Sequence, residues 1–135
     1  VTDTPPAESR RVVTEQAAVQ TTEMMRNVVC RGTATLAKVD GLSIAGKTGT
    51  AFKAADNGTY FDENGDRIYY ASFVGFFPAD DPQVTVLVSV DEPPAGTDDR
   101  FGGTASAPVF AELAPTLIHE LGIVPTPGAP TCDGA

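Results

Sequence analysis

With 135 residues, 41% of them hydrophobic and 20% charged, the chain has the length and composition of one globular domain or a piece of one. A formal net charge of −9 argues against a phosphate-backbone partner, because such binding is supplied by clustered lysine and arginine, so nucleic acid is not expected. No apolar run approaches the roughly 20 residues that cross a bilayer and no signal-peptide pattern opens the chain, which as given reads as soluble. The sequence begins Val1-Thr2-Asp3-Thr4-Pro5-Pro6, without an initiator Met, which leaves room for an anchor or targeting segment upstream.

Residues 1–10 are polar and Pro-bearing and read as an extended lead-in, followed by Arg11-Val12-Val13 as a short strand. Thr14 is a helix N-cap with Glu15 in the first turn, and Ala17, Ala18, Thr21, Met24, Met25, Val28 and Val29 recur with helical period. Both methionines are expected as core filler. This helix is expected to stop near Cys30, with Gly32 as a left-handed C-terminal cap. Residues 33–39 are ambiguous, and Asp40-Gly41 signals a turn.

Leu42 to Lys53 is small, β-branched or apolar and reads as a strand whose glycines, Gly46 and Gly49, permit close approach to the backbone. Turn signals follow at Asp56-Asn57-Gly58 and at Asp62-Glu63-Asn64-Gly65-Asp66. The second is rejected as a calcium loop, since its Gly is misplaced and Phe73 stands where the closing Glu belongs; no metal site is expected. Ile68 to Phe77 is a second strand, and Val84, Val86, Val88 and Val90, alternating with Thr85, Leu87 and Ser89, form a third. Three strands joined by turns without an intervening helix imply an antiparallel meander in an α+β fold.

Residues 91–103 form a loop rich in Pro, Gly and Asp, before a final helix from Ala105 or Pro108 to Leu121. Val109, Phe110, Leu113, Leu117 and Leu121 form its apolar side, and Gly122 ends it. The domain thus covers 1–124, and 125–135 is a flexible Pro/Gly-rich tail. Cys30 and Cys132 lack any zinc-site spacing and are either two thiols or one disulfide.

One stretch carries site chemistry, Gly41-Leu42-Ser43-Ile44-Ala45-Gly46-Lys47-Thr48-Gly49-Thr50. Gly41 to Thr48 matches the G-x-x-x-x-G-K-[ST] phosphate loop, and Val86 to Glu92 mimics an ATPase strand ending in an acidic residue, Asp91. A phosphate loop needs a helix directly after Lys47-Thr48, however, and Gly49-Thr50-Ala51-Phe52-Lys53 reads as strand. The nucleotide reading is therefore the remote alternative. Lys47-Thr48-Gly49 equally matches the K-T-G of serine acyl-transfer enzymes, which asks for a strand. On such a strand Lys47 supplies positive charge beside a nucleophile, Thr48 and Thr50 offer hydroxyls to a carboxylate, and Gly49 leaves room for the acyl chain. The Thr50 backbone N–H can donate to a developing oxyanion.

Three segments extend the match: Ala45-Gly46-Lys47-Thr48-Gly49-Thr50-Ala51, Ser72-Phe73-Val74-Gly75-Phe76-Phe77-Pro78, and Gly102-Gly103 with Ala107-Pro108-Val109-Phe110. Together with Met24 to Val29 and Gly32-Thr33-Ala34, they resemble the C-terminal part of a class B penicillin-binding protein. The resemblance implies a partial penicillin-binding/serine β-lactamase-like fold, an antiparallel sheet flanked by helices. It implies D,D-transpeptidation of peptidoglycan stem peptides through an acyl-serine, acylation by β-lactams, and an extracytoplasmic place at the bacterial cell membrane. No cofactor is implied. Lys47 and Thr50 are the catalytic residues carried over; Thr48, Gly49, Thr50 and Phe101 are the substrate and β-lactam contacts. The family's S-x-x-K and S-x-N motifs do not occur, because Ser9, Ser43, Ser72, Ser89 and Ser106 lack the required Lys or Asn. The chain alone is accordingly expected to be inactive, with an upstream part of the same domain as its partner and division or elongation proteins as further ones. A β-lactam receptor or a non-catalytic envelope scaffold of the same fold is the alternative.

Among the remaining residues, His119 and Arg100 read as surface side chains, and Asp80-Asp81, Asp91-Glu92 and Asp98-Asp99 as solvated turn residues.

Overall fold

The computed structural model describes residues 10–94 and 98–132. Helix α1 spans Glu15–Arg31, strands β1, β2 and β3 span Ala45–Phe52, Tyr69–Phe77 and Val84–Asp91, and helix α2 spans Ala107–Leu121. The strands form one antiparallel sheet in the order β1-β2-β3, as the turn-linked pattern implied. β1 is an edge strand, with no partner beyond β2 among the described residues.

Helix α1 begins where the capping signal put it: the Thr14 hydroxyl accepts from Ala17 N at 3.2 Å. Its end differs from expectation. Gly32 is the C-cap but has φ −101°, outside the left-handed region. Glycine is needed there for space, because a Cβ would stand 2.8 Å from Val28 Cα and 2.9 Å from Val28 O. Burial is concentrated in the last turns, where Val29 is fully buried and Met25 and Val28 are half-buried. Met24, expected in the core, is 62% exposed, because the other described residues cover only that end of the helix. Arg11-Val12-Val13 is no strand; it is exposed and pairs with nothing in the sheet.

The core gathers Phe73 and Phe77 of β2, Val29, Leu42, Ile44, and Ala107, Phe110 and Ala114 of α2. Phe110 meets Phe73 and Phe77 edge to face, with centroids 4.9 and 5.8 Å apart. The buried side of α2 is only partly the expected one, since Phe110 packs in the core and Leu117 against it but their expected companions do not. Ala107, Phe110 and Ala114 are its buried residues, while Val109, Leu113 and Leu121 are exposed. Ala107 and Ala114 let the helix axis approach the sheet, while Phe110 between them fills the core. Gly122 ends α2 with φ 64°, the left-handed cap expected, and Ile123 turns back into the core.

Beyond Pro125, the segment is tied to α1 at two points. Arg26 donates to the Pro130 carbonyl, and Cys30 is bridged to Cys132, which resolves the two cysteine alternatives as one disulfide. Asp62 is used within its own loop, accepting from Asn64 N and Asp66 N. The Asp91-Glu92 pair, expected to be merely solvated, clasps Lys53 across β2 at 2.7 and 2.8 Å. These hydrogen bonds raise the Lys53 pKa above its ordinary value.

Candidate active site

The register decides what the Lys47–Thr50 stretch presents. Lys53 N donates to Ile68 O, and every β1–β2 pair keeps the same offset from Ala45↔Phe76 to Phe52↔Tyr69. Hydrogen-bonded pairs alternate in an antiparallel ladder, so Lys47 pairs with Val74 and Gly49 with Ser72 in this way. The N–H and C=O of Thr48 and Thr50 then point away from β2, along the unpaired edge. That edge is a row of backbone donors and acceptors open to an extended ligand.

Side chains alternate in the same strand, which puts Thr48 and Thr50 on one face and Lys47 and Gly49 on the other. Lys47 is exposed and curls around the edge: its Nζ donates to Thr48 O at 2.8 Å and stands 3.5 Å from Thr48 Oγ1. The ammonium therefore lies beside the edge whichever face its Cβ leaves from. A Cβ on Gly49 would fall 2.5 Å from Ser72 Oγ, so the serine hydroxyl occupies the space that this glycine leaves free.

Both threonine hydroxyls are held by distant segments. Thr48 Oγ1 is 2.8 Å from Thr33 Oγ1, in the turn that leaves α1. Thr50 Oγ1 accepts from Gly102 N at 3.2 Å. Gly102 opens a π-helical turn, Gly102–Ser106, that leads into α2. A Cβ there would stand 2.1 Å from Ser72 O and 2.4 Å from Gly49 O, so only glycine lets this turn lie against the strands.

Phe101, immediately before that turn, is 40% exposed and meets Tyr69 edge to face at 6.2 Å. The Arg100 guanidinium lies 5.1 Å from the Phe101 ring centroid and 5.5 Å from that of Tyr69. Arg100 is thus half-buried against aromatic rings, in contrast to the surface residue expected. Lys47, Thr48, Gly49, Thr50 and Phe101 are consequently gathered at one edge. Sequence reasoning missed Thr33 and Gly102 as partners of the two hydroxyls, and Tyr69 as the support of Phe101. Their motifs were visible, but no spacing along the chain encodes these contacts.

The phosphate-loop reading fails on this geometry. Lys47-Thr48 continue as β1 where a helix is required, and Gly41 sits in the preceding turn. Asp91 is on β3, separated from β1 by β2, and is held by Lys53. His119 is exposed, its imidazole beside Glu120 on α2, away from the β1 edge.

Comparison with known proteins agrees with this geometry. A family model described as the penicillin binding protein transpeptidase domain matches residues 2–114. Stage V sporulation protein D of Bacillus subtilis is 40% identical over 120 residues, covering 89% of this chain and 18% of that protein. The probable peptidoglycan D,D-transpeptidase PenA of Neisseria flavescens is 37% identical over 118 residues, covering 87% of this chain and 28% of that one. Among solved structures, the transpeptidase domain of penicillin-binding protein 3 from Burkholderia pseudomallei superimposes with a TM-score of 0.72 at 36% identity, over 93% of this chain and 36% of that one. Penicillin-binding protein 3 of Mycobacterium tuberculosis in complex with ampicillin gives 0.71 at 31% identity, over 96% of this chain and 29% of that one. The chain thus spans between 18% and 28% of the length of these two curated relatives. Matched along most of its own length by the family model, and carrying K-T-G on an open edge strand, the chain belongs to the penicillin-binding protein transpeptidase domain family, as its class B motifs implied.

Proposed function

We propose that this chain supplies the K-T-G wall of a peptidoglycan D,D-transpeptidase. The observation that carries the reading is the unpaired β1 edge, where Thr48 and Thr50 aim backbone groups outward beside the Lys47 ammonium. An extended acyl donor adds to this edge as a further strand. The Thr50 N–H donates to the oxygen that becomes negative as a serine attacks the carbonyl, and Lys47 holds positive charge beside the reacting groups. The Thr48 and Thr50 hydroxyls hold the terminal carboxylate, and Phe101 flanks the ligand. The serine takes the acyl group, the terminal D-amino acid leaves with a proton on its nitrogen, and the amine of a second stem peptide then displaces the serine.

The serine and its lysine belong to an upstream part of the same domain, because no S-x-x-K or S-x-N occurs in this sequence. The chain alone is inactive on this reading. β-Lactams acylate the same serine. An extracytoplasmic location accords with the Cys30–Cys132 disulfide, since such bonds persist in oxidising compartments. The test is labelling with a fluorescent penicillin. The complete domain containing this sequence is expected to label covalently and the 135-residue chain not at all, with labelling of the domain lost in Lys47→Ala. Labelling of the isolated chain, or none of the complete domain, would overturn the reading.

A further inference from the structure

Resting on the transpeptidase reading above, a further residue at the same edge is assigned by its hydrogen bond and its packing. Thr33 stands where three segments meet. Its hydroxyl is 2.8 Å from Thr48 Oγ1, and its carbonyl is packed so closely by the turn before α2 that a Cβ on Gly103 would lie 2.1 Å from it. That Cβ would also approach Thr48 Cγ2, at 3.7 Å. The backbone of Thr33 is therefore fixed between the exit of α1 and the glycine turn, while its side chain faces the K-T-G strand.

A hydroxyl has one proton to donate and two lone pairs to accept with. Lys47 Nζ, which can only donate, stands 3.5 Å from Thr48 Oγ1. We propose that Thr33 is a positioning residue that fixes the direction of the Thr48 hydroxyl: the Thr33 O–H donates to Thr48 Oγ1. With Lys47 and Thr33 both donating to it, Thr48 has its lone pairs engaged, and its own proton is the group left to offer a ligand. A carboxylate, which only accepts, fits that arrangement. The chain Thr33 O–H to Thr48 O–H to carboxylate polarises in one direction, so each bond strengthens the next. A ligand with an ester in place of the carboxylate is a weaker acceptor and gains less from it. Thr33 thereby contributes to selectivity for a free carboxylate without touching the ligand itself.

The test uses the complete transpeptidase domain that contains this sequence, with benzylpenicillin and its methyl ester as probes. The readout is the second-order acylation constant for each. Thr33→Val, which keeps the shape and removes the hydroxyl, is expected to lower the constant for benzylpenicillin about tenfold, in line with the loss of one link to a charged acceptor. It leaves the constant for the ester unchanged, and Thr33→Ser restores the preference for the acid. Equal slowing of both probes would mark Thr33 as structural only, and no change with either would deny it any role; both outcomes overturn the proposal. Should Thr33→Val not fold, Thr33→Ala carries the same comparison. If the unmutated domain is acylated by neither probe, the transpeptidase reading fails and this proposal with it, an outcome distinct from loss of selectivity alone.

Discussion

Gly102 N donates to Thr50 Oγ1 at 3.2 Å, joining residues 52 positions apart and tying the turn before α2 to the edge strand. The contact needs the turn to lie flat on the sheet. Gly102→Ala would put a methyl group within 2.1 Å of Ser72 O and 2.4 Å of Gly49 O, both backbone atoms that cannot rotate aside. Overpacking of this kind costs about 1–3 kcal/mol, and backbone neighbours put this case at the upper end. Denaturant unfolding of the variant is expected to give a lower midpoint with an unchanged slope. A midpoint equal to that of the unmutated protein would contradict the packing described.

The buried face of α2 gives a second prediction. Phe110 is fully buried between Phe73 and Phe77, whereas Leu113, which sequence periodicity assigned to the same stripe, is 43% exposed. Phe110→Ala is expected to destabilise by about 3–5 kcal/mol, a large part of the stability of an ordinary domain. Leu113→Ala is expected to cost well under half of that. Equal losses in chemical denaturation would restore the stripe read from periodicity.

The Cys30–Cys132 bridge spans 102 residues, so on the chain-entropy model it restricts the unfolded state by up to about 4.7 kcal/mol. Intact mass after alkylation is expected to show no modified thiol without reductant and two with it. The reduced protein is expected to melt at a lower temperature, and two alkylated thiols in the untreated protein would refute the bridge.

Lys53 links the ends of β1 and β3 through Asp91 and Glu92. Its pKa is raised in the folded state from an ordinary value of 10.5, first by the hydrogen bond it donates to Asp91 and then by the one it donates to Glu92. A raised folded pKa gives stabilisation that is fully present below the unfolded value and is lost as pH rises through the folded one. The stability difference between the unmutated protein and Lys53→Met is therefore expected to stay level through neutral pH and to shrink at pH above about 10.4. All three side chains are at least one-third exposed, so the difference is small and weakens with salt. A difference that grows on the alkaline side would contradict the assignment.

Much of the framework was legible in the sequence because it is encoded locally. The Thr14 cap, the presence of helix α1, the alternation of Val84 to Val90 and the left-handed Gly122 depend on neighbours a few residues away, and each appears in the structure as read. The K-T-G motif and its companion segments likewise named the family, since they are contiguous strings. The composition bounded the class of partner through charge alone.

What only the tertiary structure decided are the relationships set by register and packing. Periodicity ranks residues by hydrophobicity, so it favoured Met24 and Leu113, yet burial follows which neighbours lie opposite, and alanines at 107 and 114 are buried beside Phe110 because they admit a close sheet. Gly32 was read through its freedom at positive φ, when its actual cause is the absence of room beside Val28. At the site, the sequence named Lys47 to Thr50 as a string of chemical groups. The β1–β2 register turned the backbone of Thr48 and Thr50 to the open edge, and Thr33 and Gly102, remote along the chain, came to hold their hydroxyls. A motif lists side chains, but the direction in which each donor points belongs to the strand pairing and to the turns packed against it.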